Sequence, residues 1–173
     1  LVIAAGGDGT GSETADGLLG FTEETGQAAP AFAVLPSGTG IDFARGLGLT
    51  TDYRATLARI AAAEPRRIDA GRVRFVDDDG RLASRHFINI ASAGLSGATT
   101  RAIDRDRKKG RISAKALFFW HTVVGFLRYD FQDVRVTIDD AQPFEARIAL
   151  VAACNGRFFG AGMMVAPDAA LDD

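Results

Sequence analysis

The sequence contains a single cysteine, Cys154, among its 173 residues, and therefore has no second cysteine for an internal disulfide. One unpaired cysteine is typical of a reducing compartment, so we expect a cytoplasmic protein. No apolar run approaches the about 20 residues that a membrane span requires. The 20 Lys and Arg residues nearly balance the 22 Asp and Glu residues. A net charge of −2 offers no basis for nucleic-acid binding.

A glycine-rich loop follows the first apolar run of the chain. Residues 1–5 predict a buried parallel strand, and the segment 6–10 (Gly-Gly-Asp-Gly-Thr) closes it. Because glycine has no Cβ atom, the N–H groups of this loop are free to face an anion, for which phosphate is the natural candidate. A helix is expected next, with Thr10 as its N-cap and Glu13 completing a capping box.

The same pattern occurs a second time. Residues 31–35 predict another buried strand, which ends in the glycine-rich turn 36–40 (Pro-Ser-Gly-Thr-Gly) and a short helix over 41–45. Parallel strands place such loops at one edge of a sheet, where open α/β sheets bind their ligands. The two glycine loops are therefore predicted to face one crevice.

These two segments carry a family resemblance. Residues 5–10 and 35–44 together resemble the catalytic domain of diacylglycerol kinases, which sphingosine kinases and bacterial lipid kinases share. Later segments resemble further strands and a late loop of the same family, in the family's order: 67–73, 87–94, 155–156, 160–162 and 166–169. The resemblance implies an ATP- and Mg²⁺-dependent kinase that transfers the γ-phosphoryl group to a lipid hydroxyl. A diacylglycerol-like acceptor is the first choice, and a sphingoid base or another glycerolipid stays open.

The pattern of elements changes near Pro65, from alternating strands and helices to mainly strands. We expect an α/β protein with an α/β nucleotide-binding lobe in 1–66 and a β-rich, β-sandwich-like lobe in 67–173. The family pattern places more chain before the first lobe and after the second, so both lobes are expected to be incomplete. The other predicted elements are a helix capped by Thr51-Asp52, strands at 68–76 and 82–91 around the turn 77–80, and strands at 134–138 and 144–154.

The resemblance also implies which residues form the site. The ATP phosphates would lie against Gly6, Gly7, Gly9, Thr10, Glu13, Gly38, Thr39 and Gly40. Asp8, Asp42 and Asp69 would surround Mg²⁺ through water, since this ion prefers carboxylate, water and phosphate oxygens. Asp8 is also the candidate base for the acceptor hydroxyl. The family offers an alternative base in an aspartate-glycine segment that would follow residue 173.

Two departures from the family pattern keep other functions open. Ile41 and Ser12 each stand where the family usually has asparagine. A lost amide bond could cost about 1–3 kcal/mol if its partner stays buried and unpaired. One alternative is therefore a catalytically silent nucleotide- or lipid-binding module. The other is NAD kinase, which shares the first glycine loop but differs from this chain over 36–44.

A basic and aromatic segment interrupts the strands. The stretch 105–111 is rich in Arg and Lys, and a helix is predicted over 113–128. The segment 105–128 suits peripheral contact with the inner face of a membrane, and packing on the β-rich lobe is the alternative. The expected partner is a lipid substrate, and a homodimer stays open. His86 and His121 have no metal-spaced partner, so both are interpreted as packed or exposed residues rather than catalytic ones.

Overall fold

A computed structural model describes residues 1–38, 40–97, 99–101, 120–121, 123–125 and 127–173. The described residues include the helices α1 (Asp8–Thr25), α2 (Asp42–Gly46) and α3 (Tyr53–Ala62). Their strands are β1 (Val2–Gly6), β2 (Phe32–Pro36), β3 (Gly71–Val76), β4 (Leu82–Phe87), β5 (Ile90–Gly94), β6 (Gln132–Val136), β7 (Phe144–Ile148), β8 (Leu150–Cys154), β9 (Phe158–Phe159) and β10 (Met163–Met164). Helical residues also occur within 95–101 and 120–128.

The chain divides into two compact units. The first comprises Leu1–Ala91 and Cys154–Asp173, and the second comprises Ser92–Ala153. The first unit is therefore built from two separate stretches of sequence. The division into lobes at 1–66 and 67–173 stays a prediction.

The first unit begins with the predicted strand, loop and helix. β1 and β2 pair in parallel, in a register that places Gly6 opposite Pro36, so both strands end at the same edge. Small residues let α1 lie close to β1, and its buried positions are Gly11 and Ala15. The buried apolar core consists of Ala4, Ala15, Val34, Phe43, Ala44 and Ile88.

The start of α1 differs from the predicted one. The helix begins at Asp8 with Gly7 as its N-cap, and no side chain caps it. Thr10 lies inside the first turn, where its carbonyl oxygen accepts a hydrogen bond from the Thr14 hydroxyl (2.8 Å). The capping box of Thr10 and Glu13 was therefore wrong. The glycine loop is tighter than the capping pattern assumes, because Gly7 turns the chain directly into the helix.

α3 follows its prediction at the N-terminus. The Asp52 carboxylate accepts hydrogen bonds from the N–H groups of Arg54 (3.0 Å) and Ala55 (3.1 Å). The helix ends at Ala62, before Pro65. The expected cap is thus confirmed by its geometry.

The predicted hairpins form, but two of the predicted strands are divided. β3 and β4 pair antiparallel around the turn at 77–80, and β6 and β7 pair antiparallel around the turn at 139–143. The expected strand 82–91 breaks at Ile88 and Asn89, and the expected strand 144–154 breaks at Ala149. At each break, a backbone carbonyl accepts hydrogen bonds from residues outside its own hairpin. The Asn89 carbonyl accepts from the N–H groups of Asn155 and Gly156. The Ala149 carbonyl accepts from the Leu95 N–H.

The second unit contains the β6–β7 hairpin and most of β5 and β8, which pair with each other. Most of the predicted membrane-contact segment, residues 105–128, lies outside the described residues. Among the residues that the structure does describe, no helix is both long and apolar enough to span a membrane.

Candidate functional site

The two glycine loops touch each other at the ends of β1 and β2. The Ser37 N–H donates to the Gly6 carbonyl (3.0 Å), and the Asp8 N–H donates to the Gly40 carbonyl (2.9 Å). A Cβ atom on Gly7 would lie 2.7 Å from the Gly40 carbonyl oxygen. A Cβ atom on Gly38 would lie 2.6 Å from the Gly7 nitrogen. Only glycine permits this approach, so the predicted shared edge exists and the two loops form one structure.

Asp8 links the first loop to the helix that follows the second. Its Oδ2 accepts from the Asp42 N–H (2.8 Å), and its Oδ1 accepts from the Phe43 N–H (3.0 Å). These are the first N–H groups of α2, whose own N-cap residue, Ile41, has no side-chain oxygen to offer them. A carboxylate from elsewhere in the chain thus caps α2, and Asp8 and Asp42 are brought together.

The first turn of α1 leaves amide groups available. Intrahelical bonding begins with the Gly11 N–H, which donates to the Gly7 carbonyl at 3.0 Å. The Asp8 N–H is taken by Gly40, whereas the exposed Gly9 and Thr10 have no intrahelical acceptor for theirs. The positive end of the helix dipole is directed at the same place. This turn can therefore accept an anion, as the loop sequence predicts.

Asp42 is the most deeply buried acidic residue of this region, with 4% of its surface exposed. Its Oδ2 accepts from the Ala161 N–H at 2.9 Å. Its Oδ1 is buried and has no hydrogen-bond partner among the described residues, although the Arg45 Nε lies 3.6 Å away. Burial raises the pKa of the Asp42 carboxyl; the Ala161 hydrogen bond and Arg45 oppose this rise, and the charge of Asp8 adds to it. Arg45 therefore pairs with this oxygen by charge, without a hydrogen bond.

Arg45 is packed beside this carboxylate. Its guanidinium carbon lies 6.0 Å from the centre of the Phe158 ring. A Cβ atom on Gly162 would lie 3.2 Å from the same carbon. The turn that includes Gly162 and Ala161 is thereby joined to α2 through both a hydrogen bond and a packed cation.

The other predicted site residues are less closely tied to this centre. Asp69 is exposed, and its N–H donates to the Leu171 carbonyl (2.6 Å). Glu13 is exposed on α1, and Thr39 lies outside the described residues. Within the described part of the chain, no group of three or more His, Cys, Asp and Glu side chains could hold a metal ion directly. A cation shared by Asp8, Asp42 and Asp69 through water stays a prediction.

A cleft of about 200 Å³ borders α2. Its walls include Phe43 and Gly46 of α2, together with Asn89, Asn155 and Leu171. None of the glycine-loop residues lines it. The cleft is therefore a separate feature from the loop junction.

Sequence reasoning missed Ala161 as a partner of Asp42. Ala161 has a left-handed backbone conformation (φ 69°). Its neighbours Gly160 and Gly162 also have positive φ angles. The Gly-Ala-Gly sequence does signal an unusual turn. It does not signal which residue accepts a hydrogen bond from that turn.

Two family models match consecutive parts of the chain. Residues 1–73 match the diacylglycerol kinase catalytic domain. Residues 89–173 match the YegS C-terminal NAD kinase beta sandwich-like domain. The predicted fold class, an α/β nucleotide-binding lobe followed by a β-sandwich-like lobe, is confirmed.

Similar proteins cover almost the whole chain. A protein of Chromohalobacter salexigens named "Probable lipid kinase YegS-like" is 33% identical over 99% of this chain and 50% of its own length. A diacylglycerol kinase of Staphylococcus saprophyticus is 30% identical over 100% of this chain and 51% of its own length. The chain thus spans about half the length of the curated relatives it matches.

A solved structure agrees with these relatives. A diacylglycerol kinase from Bacillus anthracis superimposes with a TM-score of 0.64 at 25% identity, over 99% of this chain and 50% of that one. The catalytic-domain match includes both glycine loops, whose contact the structure shows. The chain therefore joins a diacylglycerol kinase catalytic domain in residues 1–73 to a YegS C-terminal NAD kinase beta sandwich-like domain in residues 89–173, and it is similar over almost its whole length to proteins named as probable YegS-like lipid kinases.

Proposed function

We propose that this protein is an ATP- and Mg²⁺-dependent lipid kinase that phosphorylates the hydroxyl group of a diacylglycerol-like lipid. The observation that carries the proposal is the junction of the two glycine loops, which places Asp8, Asp42 and free backbone amides together. The family membership supports the reaction class.

The loop junction suits a polyphosphate. The amides of Gly9 and Thr10 face outward at the positive end of α1, and glycine at position 9 leaves the approach open. Neither loop contains Lys or Arg, so the remaining phosphate charge needs another source. Mg²⁺ held by phosphate oxygens and water would supply that neutralisation. Asp8, Asp42 and Asp69 are the carboxylates that would hold its water shell.

The phosphoryl transfer requires one proton acceptor. The lipid oxygen attacks the γ-phosphorus, the bond to the β–γ bridging oxygen breaks, and ADP leaves with that electron pair. We assign the hydroxyl proton to the Asp8 carboxylate. Its two oxygens accept from α2 amides, and ionised carboxylates have about four acceptor positions, so a further hydrogen bond from the acceptor fits.

The silent binding module is the second candidate function. Ile41 leaves the α2 amides without a local cap, and Asp8 is committed to them. A carboxylate used mainly as a cap would hold the loops together without taking a proton. Nucleotide would then bind without transfer.

A matched pair of glycine variants tests the phosphate site. A Cβ atom at Gly9 or at Gly17 meets nothing within 4 Å, and both residues lie in α1. Alanine at either position should stabilise the helix by up to about 1 kcal/mol. Only Gly9→Ala should weaken ATP binding, by about tenfold or more, because its methyl group meets the phosphate. Equal ATP affinity in the two variants would show that the phosphates do not bind against Gly9.

Labelled-phosphate transfer in the full-length protein tests the reaction. ATP labelled at the γ-phosphate is mixed with vesicles that contain diacylglycerol or a sphingoid base, and separately with NAD. Transfer to diacylglycerol, abolished in Asp8→Asn, is the expected result. Transfer to NAD would reassign the protein as an NAD kinase. ATP binding with no transfer would favour the silent module, and undiminished transfer by Asp8→Asn would place the base elsewhere.

A further inference from the structure

His86 of β4 lies between two carboxylates of α1. Its Nδ1 is 3.1 Å from Asp16 Oδ1, and its Nε2 is 3.0 Å from Glu23 Oε1. The His86 backbone N–H also donates to Asp16 Oδ1, at 2.8 Å. Asp16 and Glu23 are seven residues apart, which places them on one face of the helix, two turns apart. The imidazole thus spans both carboxylates.

The two contacts require an unusual number of donors from one ring. A carboxylate that is ionised only accepts hydrogen bonds, and a neutral imidazole carries a single N–H. Only the imidazolium form can donate to Asp16 and Glu23 at the same time. The His86 side chain is 11% exposed and that of Asp16 is 22% exposed, so water competes weakly at the first contact. The Glu23 side chain is more open, at 47%.

The charged groups around His86 come from each element packed there. Arg85 of β4 places its Nη1 3.5 Å from Asp16 Oδ2. Arg72 of β3 pairs with Glu23 Oε2. Burial raises the pKa of the Asp16 carboxyl, but the hydrogen bonds from His86 and the charges of Arg85 and His86 outweigh it, so the pKa is lowered. Asp16 therefore stays ionised and able to accept.

We propose that His86, held as an imidazolium between Asp16 and Glu23, is a positioning residue that fixes α1 against the β3–β4 hairpin in a proton-dependent way. Loss of the ring proton removes one of the two donors and loosens the contact. The set formed by Asp16, Glu23 and His86 is called the imidazolium clamp below.

The clamp has a consequence for the site if the proposed function holds. α1 is one helix of 18 residues, and its first residue is Asp8. Asp8 caps α2, so the position of α1 sets the contact between the two glycine loops. A proton on His86 would then act on the phosphoryl transfer through Asp8, without touching the substrate.

Nitrogen NMR of the imidazole rings tests the protonation state directly. In the native chain at about pH 6, both ring nitrogens of His86 should carry a proton, as its contacts to Asp16 and Glu23 require. A neutral His86 ring at this pH would overturn the proposal.

A double-mutant cycle tests the energetic coupling. His86→Gln, Glu23→Gln and the double variant are unfolded in urea at about pH 6 and pH 8.5. We expect the coupling between the two positions to correspond to a several-fold change in the folding equilibrium constant at pH 6, and to fall toward onefold at pH 8.5. Glu145→Gln, which breaks the exposed Arg135–Glu145 pair, is the matched control and should be neutral at both pH values. A coupling that does not change with pH would overturn the proposal.

An activity measurement separates the clamp from the proposed function. If the full-length protein transfers phosphate, the ratio of native to His86→Gln kcat should be larger at pH 6 than at pH 8.5. A constant ratio would refute the link from His86 to Asp8. If no transfer occurs, the proposed function fails, while the NMR and unfolding measurements still decide on the clamp.

Discussion

The Asp8 carboxylate links the first glycine loop to α2, the helix that follows the second loop. It takes the place of an N-cap side chain for α2, since the Ile41 side chain cannot accept a hydrogen bond. The asparagine that the family usually has at position 41 would lie where capping residues stand. The departure at Ile41 thus becomes understandable: the cap is provided by a different residue.

Replacing Asp8 with alanine should destabilise the protein. The variant leaves two backbone N–H groups of α2 without their acceptor, and we expect a loss of about 1–2 kcal/mol in the free energy of unfolding. Urea denaturation measures it. Asp52→Ala is the matched control, because Asp52 also accepts from two N–H groups at a helix start. Asp52→Ala should lower stability but leave ATP affinity unchanged, and an unaltered stability of Asp8→Ala would contradict the capping role.

Replacing Asp42 with asparagine should have the opposite effect on stability. The raised pKa means that the folded chain holds this proton more tightly than the unfolded chain, so ionisation with rising pH costs stability. Asp42→Asn removes this cost, while its amide oxygen can still accept from Ala161. We expect Asp42→Asn to raise the free energy of unfolding near pH 7, and this gain to vanish below the ordinary aspartate pKa of about 4.

Urea unfolding of the native protein and of Asp42→Asn at about pH 3 and pH 7 checks the sign. A stability difference between the two proteins that is the same at both pH values would show that the charge of Asp42 is not its cause. Under the proposed function, the same variant should bind ATP more weakly when Mg²⁺ is present. Stability and function would then depend on Asp42 in opposite directions.

At the scale of elements, the close contact of the two glycine loops sets where α1 and α2 begin. β1 and β2 bring the loops to one edge of the sheet. There the Asp8 N–H of the first loop donates a hydrogen bond to the Gly40 carbonyl of the second. The helix α1 starts at Asp8 rather than after Thr10 because Gly7 makes the turn by itself. The contact leaves no space for a Cβ atom at Gly7 or Gly38.

Gly38→Ala should therefore separate the loops. Its Cβ atom would lie 2.6 Å from the Gly7 nitrogen, and backbone cannot move aside as a flexible side chain can. We expect a loss of about 1–3 kcal/mol in unfolding free energy, with weaker ATP binding. Gly20→Ala in α1 is the control, since its Cβ atom meets nothing within 4 Å. Equal stability of Gly38→Ala and Gly20→Ala would mean that the loops are not packed as described.

At the scale of the whole molecule, the chain leaves the first unit near Ala91 and returns to it at Cys154. The returning stretch is tied to the first stretch by polar contacts. Asn155 Nδ2 donates to the carbonyls of Asp69 and Ile88, both at 2.9 Å, and Ala161 donates to Asp42. The first unit therefore depends on residues that are far apart in sequence.

Asn155→Ala should weaken this unit. The variant leaves the carbonyl of the buried Ile88 without its side-chain donor, and we expect a cost of about 1–3 kcal/mol. Hydrogen exchange should show faster opening of the first unit. Gln132→Ala is the control, because the Gln132 side chain donates to the nearby, exposed Asp130 carbonyl. Unchanged exchange in Asn155→Ala would contradict the role of this side chain.

Local patterns accounted for much of the fold. The β3–β4 and β6–β7 hairpins, the Asp52 cap and the two strand-to-glycine transitions depend on neighbouring residues, so the sequence predicted them. The sequence did not predict the breaks within the strands, because the carbonyls at these breaks accept hydrogen bonds from residues far away in the chain. The roles of the predicted phosphate and metal residues stay predictions.

The order of residues alone determined that two glycine turns follow two apolar strands, because strand periodicity and glycine conformation act over a few positions. Only the tertiary structure decided what Asp8, Asp42 and His86 touch. Asp8 caps a helix 34 residues away, and His86 reaches a helix 63 and 70 residues before it. Such partners are selected by packing, and the charge and hydrogen bonding of a buried polar group depend on which partners packing supplies.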